Sequence, residues 1–349
     1  MLCTRSLLLP VAFLAAFVST SLRAWDYAGH QMVNRLGLAS LPPDFPDFVR
    51  DSATQERIAF LAGEPDRWKN VSDLAMRHSG GSWSEHFLDL EQIPLAGLDV
   101  ATLPSLRYQF AVAFAAGRAA NAHRFPKIDP ARNADRTREW PGFAPWGIAE
   151  YYAKLKSAFS YLRAFEENGT PDEVANAKAN AIYVMGVMGH FVGDLAQPLH
   201  TTDHYNGWVG PNPNGYTTRN TLHSWIDGGF IRTVGIKLSD ISPRAKPARV
   251  LSADPRPDNR DPLFVAVMDY LLAQHAQVEL LYRLEKAGKL NADTGDVAEG
   301  RAFIEGQLLR GGEMLGSLWL SAYRHAGPDV YLRTELARRN AHTAVPDQK

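Results

Sequence analysis

Apolar residues recur at helical spacing along most of this chain, in 106–120, 146–165, 174–195, 261–284 and 301–323, and few stretches alternate as half-buried strands do. That pattern predicts an all-α fold. Glycine and proline fall between the helical stretches, at 41–46, 78–82, 126–145 and 207–216, and no repeat, low-complexity tract or linker divides the chain. A single multi-helix domain over 25–328 is therefore expected, followed by a polar tail, 329–349, frayed from Ala337 onward.

The 349 residues carry 37 Lys+Arg against 38 Asp+Glu, a net charge of −1. A strongly basic face, the simplest route to nucleic-acid binding, is not offered by that balance, although bound metal can neutralise a substrate phosphate instead. Residues 1–24 read as an export signal: Arg5, then an apolar run over 7–18, then a short stretch of mostly small residues ending at Ala24. Twelve apolar residues are too few to span a bilayer, so the mature chain is expected to be exported, periplasmic or secreted, without a transmembrane segment. Cleavage after Ala24 also removes Cys3, the single cysteine, so core packing or metal must hold the fold.

The region 190–227 concentrates candidate ligands. It contains His190-x3-Asp194, His200, His204 and His223-x3-Asp227. On a helix, positions i and i+4 share a face, so each pair aims an imidazole and a carboxylate at one point, as a zinc site needs. With 11 His and 23 Asp in the chain, chance alone supplies about 0.7 such pairs. Here two fall within 38 residues, with two more histidines between them. Pro198 should end the first helix and let His200 fold back toward its pair. A second group of candidates lies in the N-terminal third: Trp25, His30, Asp66, Lys69, His86 and Asp89. Nothing in their spacing says that they meet the first group in space.

Taken together, a W-x4-H start at Trp25, an H-F-x-D segment at His86, the stretch GHFVGDLAQPLH from Gly189 and L-H-x-x-W-x-D ending at Asp227 resemble the S1/P1 nucleases and the related zinc-dependent phospholipases C. The likeness runs over 25–229. It implies an all-α phosphoesterase with three zinc ions in a cleft. By position, it implies ligation by the amine and carbonyl of Trp25 and by His30, Asp66, His86, His190, Asp194, His200, His223 and Asp227. Asp194 sits where the family bridges two zincs. Lys69 and Asp89 fall where the nucleases keep a basic group and an acid near the scissile phosphate, and are the catalytic candidates: Lys69 to balance charge on the phosphoryl oxygens, Asp89 to orient Lys69 or the water.

Several departures from the family pattern bear on these assignments. The interval from Asp66 to His86 is long, which makes Asp73 a rival ligand. After His200, the family's glycine-rich stretch is replaced by Thr-Thr-Asp-His-Tyr-Asn-Gly-Trp, and the fungal disulfide cysteines are absent. The expected function is exported, zinc-dependent phosphodiester hydrolysis by a monomer acting on a nucleic acid or nucleotide, favoured because the last pair ends in aspartate as in the nucleases. A phospholipase C is the alternative, with Tyr205, Trp208 and Tyr216 lining a head-group cleft. A non-catalytic zinc-stabilised binding protein is a third reading. No H-E-x-x-H supports a zinc protease.

Overall fold

The computed structural model describes residues 25–71, 73–77 and 83–343, so the expected signal segment and the break at 78–82 lie outside the described residues. The described residues are all-α. Among them, no helix is long and apolar enough to cross a membrane.

Three helices open the chain: α1 (Tyr27–Ser40), α2 (Ser52–Leu61) and α3 (Glu64–Lys69). The first two start on aspartate caps. Asp26 accepts from the N–H of Gly29 and Asp51 from that of Thr54, each satisfying a donor with no partner inside its helix. Next come α4 (Arg107–Ala120), α5 (Ala144–Asn168) and α6 (Pro171–Ala196), the last begun by a capping box in which Thr170 and Glu173 bond reciprocally. Helices α7 (Pro262–His275), α8 (Val278–Lys286), α9 (Ala298–His325) and α10 (Val330–Thr343) complete the fold.

In two places the structure departs from the sequence reading. The single helix expected over 261–284 is two, because the chain turns at Ala276 and Gln277, where the ring of His275 is held 3.0 Å from the carbonyl of Thr201. The apolar spacing carries across that turn because Leu271 before it and Leu281 after it both enter the core. The expected polar tail is helical through Thr343. Its exposed polar face hides one anchor, the buried Leu336, and Arg339 clamps Glu173 at 2.7 Å, fixing α10 against the start of α6.

The central unit is α6, whose residues 185–196 are buried throughout. Helix α5 runs beside it, α2 covers its middle, and α1 is sandwiched between α6 and α9. Glycines permit that closeness. A Cβ at Gly189 would stand 1.7 Å from Asn34 Oδ1, and one at Gly186 2.5 Å from Leu61 Cβ. Asn34 in turn donates to the carbonyls of Ile58 and Gly186, at 2.8 and 3.0 Å, tying α1 to both neighbours.

Candidate metal centre

His190 and Asp194 occupy the last turns of α6, where the helix dipole is negative and favours a cation. Helix α6 then stops at Ala196, and Pro198–Thr201 forms a tight 3₁₀ turn that presents His200. The loop carrying His86 and Asp89 is stitched to that turn. The N–H of Leu88 donates to the carbonyl of His200 at 3.0 Å, and that of Leu90 to Thr201 at 3.3 Å. His223 and Asp227 lie on a helical segment, 222–234, whose middle, Trp225–Gly229, is a wide π turn. Such turns are rare and recur at functional sites.

Three clusters result, each with its candidate donor atoms within 4.8 Å of one another: His30, His190 and Asp194; Asp66, His86 and His190; and His200, His223 and Asp227. Both Asp194 oxygens face histidine nitrogens. Oδ1 is 3.4 Å from His30 Nε2, and Oδ2 is 3.0 Å from His86 Nδ1 and 3.3 Å from His190 Nε2. His223 Nε2 lies 3.0 Å from Asp227 Oδ2 and 3.1 Å from His200 Nε2. A tetrahedral ion bound at about 2.0–2.1 Å would set its ligand atoms roughly 3.3 Å apart, so these spacings suit one.

The surroundings fix which nitrogen of each ring faces inward. His190 Nδ1 donates to the carbonyl of Ala62 at 2.7 Å, His200 Nδ1 to that of His86 at 2.7 Å and His223 Nδ1 to that of Tyr205 at 3.2 Å, leaving Nε2 free to ligate in each. His86 is reversed, with Nδ1 inward. Gln197 donates to Asp227 Oδ1 at 2.7 Å, which turns Oδ2 toward the cluster.

Burial, the largest influence, pushes His30, His86 and His200 well below the usual histidine range and His190 down to about 3, so these rings are neutral and offer lone pairs. It pushes Asp194 well above the usual carboxylate range and raises Asp227. His30 Nε2, both oxygens of Asp194 and Asp227 Oδ2 are buried without a hydrogen-bond partner. Each such atom costs about 1–3 kcal/mol. Neutral imidazoles, carboxylates and unsatisfied lone pairs converging on the same points fit a divalent cation, and these groups could hold metal.

Of the N-terminal candidates, Asp66 joins His86 and His190, whereas Asp73 is exposed and belongs to none of the clusters. Trp25 is fully buried, and the N–H of the next residue, Asp26, donates to the carbonyl of Asp227 at 2.9 Å. Lys69 is buried too. Its ammonium is 2.6 Å from Asp66 Oδ1 and 5.5 Å from the centre of the Trp83 ring. Asp89 shares the amide of Gln92 with Asp203, at 3.2 and 2.9 Å. Burial and then the neighbouring charge of Asp203 push the Asp89 carboxyl well up.

Lys69 and Asp89 line one cleft of about 330 Å³, together with His86, His200 and His223. Tyr205 also lines it, whereas Trp208 and Tyr216 pack on Tyr282 at 5.2 and 5.5 Å. His204 stacks on Trp208 at 3.9 Å and stands outside the metal clusters.

No family model, no curated protein and no solved structure matches this chain. The reading of this centre therefore rests on its own geometry. Sequence reasoning missed Gln92, Asp203 and Gln197 as parts of it. Gln197 had a signal, since it lies inside GHFVGDLAQPLH just before the proline; Gln92 and Asp203 lie 111 positions apart and had none.

Proposed function

We propose that this chain is an exported, zinc-dependent phosphodiesterase of the S1/P1 nuclease kind, hydrolysing nucleic acids or nucleotides. One observation carries the reading: the cleft lined by Lys69 and Asp89 is floored by histidines from two of the metal-fitting clusters, so a bound substrate would touch ligand side chains directly. A closed structural site would leave no such face.

Zinc held by His30, Asp66, His86, His190, Asp194, His200, His223 and Asp227, with the Trp25 terminus, would make a water nucleophilic near neutral pH and polarise the phosphoryl oxygen. The chain's own residues supply the rest. Lys69, held by Asp66, is placed to balance charge growing on the phosphoryl oxygens. Asp89, whose carboxyl is pushed well up by burial and by Asp203, lines the same cleft as a candidate proton donor to a departing oxygen. The aromatic rings of Trp83, Phe87 and Trp140 on its walls favour a substrate with a flat face over an acyl chain.

The test is parallel incubation of the zinc-loaded chain beginning at Trp25 with single-stranded DNA, RNA, a 3′-nucleotide and phosphatidylcholine. Cleavage of the nucleic acids or the nucleotide is expected. Hydrolysis of the lipid alone would make the protein a phospholipase C, and zinc binding without any hydrolysis would make it a binding protein.

A further inference from the structure

The metal-fitting clusters differ in what holds their histidines from behind. His190 Nδ1 bonds the carbonyl of Ala62, at the end of α2, and His200 Nδ1 that of His86, whose loop is stitched to the 198–201 turn. His223 instead leans on a loop residue, Tyr205, whose carbonyl accepts from its Nδ1 at 3.2 Å. The next residue, Asn206, accepts the N–H of His223 through Oδ1, also at 3.2 Å. That N–H lies in the first turn of its helical segment, and the side chain of Thr221 does not cap it. Residues 205 and 206 therefore set both the ring and the backbone of His223.

A pair of flat rings fixes that loop in turn. The N–H of Val209 donates to His204 Nδ1 at 3.1 Å, closing 204–209 on itself, and the His204 ring lies 3.9 Å from that of Trp208, 9° from parallel. Both ends are anchored. Tyr282 of α8 donates its hydroxyl to the carbonyl of His204. Trp208 donates its backbone N–H to the carbonyl of Thr217 at 2.8 Å and its Nε1 to that of Pro211 at 2.9 Å. Between the rings Gly207 takes φ +101°, and a Cβ there would stand 2.7 Å from the backbone of Thr218. This is the stretch that stands in place of the glycine-rich one, so ring stacking here does the work of restraining backbone that glycines would leave free.

We propose that His204 and Trp208 are positioning residues for a cation at His200, His223 and Asp227, acting on His223 through Tyr205 and Asn206 and on no ligand of the other two clusters. The inference rests on the metal centre of the proposed function, and gives control of one of its ion positions to two rings that belong to none of the clusters.

The test takes the zinc-loaded chain beginning at Trp25, dialyses it against graded chelator and counts the zinc retained by elemental analysis. In Trp208→Ala and in His204→Ala, about one zinc per chain should be held 10–100-fold more weakly, the usual cost of removing an outer partner of a metal ligand, while the rest is retained as in wild type. Trp208→Phe keeps a ring over His204 and should retain all its zinc. Added to His223→Ala, Trp208→Ala should release nothing further, because its effect passes through His223. Should Trp208→Ala fail to fold, His204→Ala carries the same comparison, since it leaves Trp208 packed on Tyr216 and Tyr282. Loosening of all the zinc together, loosening of none, or further loss in the His223→Ala background would overturn the proposal and leave the rings a role in the fold alone. If the ring variants lose the one zinc but the wild type hydrolyses no phosphoester, the positioning role stands and the phosphodiesterase reading falls. A wild type that takes up no zinc would overturn both.

Discussion

The N–H of Asp26 donates to the carbonyl of Asp227 at 2.9 Å, so the start of α1 is pinned to the wide π turn that carries a candidate ligand. Gly228 makes the approach possible, since a Cβ there would lie 2.1 Å from Asp26 Oδ2. Trp25 is thereby held beside the candidate metal centre.

The first prediction follows from that position. An α-amine has an unperturbed pKa of about 7.7–8.0, so metal can displace its proton at modest cost, whereas a peptide nitrogen is a poor ligand. A chain with one extra residue before Trp25 should fold, bind less zinc than the roughly three ions expected of the clean terminus, and hydrolyse substrate far more slowly. Elemental analysis and a rate assay on both chains check this. Equal zinc and equal rate would remove Trp25 from the ligand set.

The two Asp194 oxygens face different histidines, so Asp194→Asn should lose both zinc and activity, because an amide brings no charge to two ions. Asp66→Ala should also lose zinc, and Asp73→Ala should not. Zinc content by elemental analysis after gel filtration separates the three.

Lys69→Ala should retain zinc, since lysine's ammonium touches Asp66 without being a donor to metal. Its rate should fall by about 10²–10³, the usual cost of removing a group that stabilises developing oxyanion charge. A variant as fast as wild type would end that assignment.

Zinc loading should be opposed by acid, and the protons released should come from the buried carboxyls and from the Trp25 amine. Burial holds His30, His86, His190 and His200 below the ordinary value of 6.5, so near neutral pH they have no proton to lose. Asp194 and Asp227 are raised, so below their shifted values each must expel a proton to ligate. Affinity should therefore climb with pH through the raised carboxyl range, with a further rise near the amine's pKa that a chain extended before Trp25 lacks. Calorimetric zinc titration in buffers of different ionisation enthalpy counts the protons at each pH.

Stability depends on the glycine contacts of α6. Gly189→Ala would drive a methyl group into Asn34, costing at least about 1–3 kcal/mol, and Asn34→Ala would strip the donor from two buried carbonyls at a similar cost. Denaturant melts of both variants against wild type measure it.

The all-α class was legible because helical periodicity is a local signal, and the end of α6 was marked by Pro198. The two histidine–aspartate pairs of 190–227 were legible for the same reason, being one helical turn each. Spacing was not sufficient by itself. His325 and Asp329 have the same separation, yet Gly327 and Pro328 intervene, and His325 Nδ1 instead meets the Tyr152 hydroxyl at 2.9 Å. What sequence could not supply was long-range closure. That His86 lies against His200 depends on backbone pairing between 88–90 and 200–201, which leaves no residue-type signature. The surroundings of Asp89 were hidden for the same reason, since Asp203, which shares Gln92 with it, comes from the far side of the same pairing.

The segment 133–140 and the frame of α1 and α6 differ in what they leave open to change. His30, His190 and Asp194 stand on helices packed through glycine, where a Cβ at Gly193 would lie 3.0 Å from His30 Nδ1, so a side chain added there would press on a candidate ligand. The 133–140 segment lines the cleft through Asp135, Thr137, Arg138 and Trp140 and carries none of the clustered candidate ligands. Insertions, deletions or charge swaps in it would redraw what the cleft admits while the candidate metal centre stays as it is. A lineage diversifying its substrates would be expected to spend its variation there, and an engineer seeking a new specificity would randomise the same eight positions first.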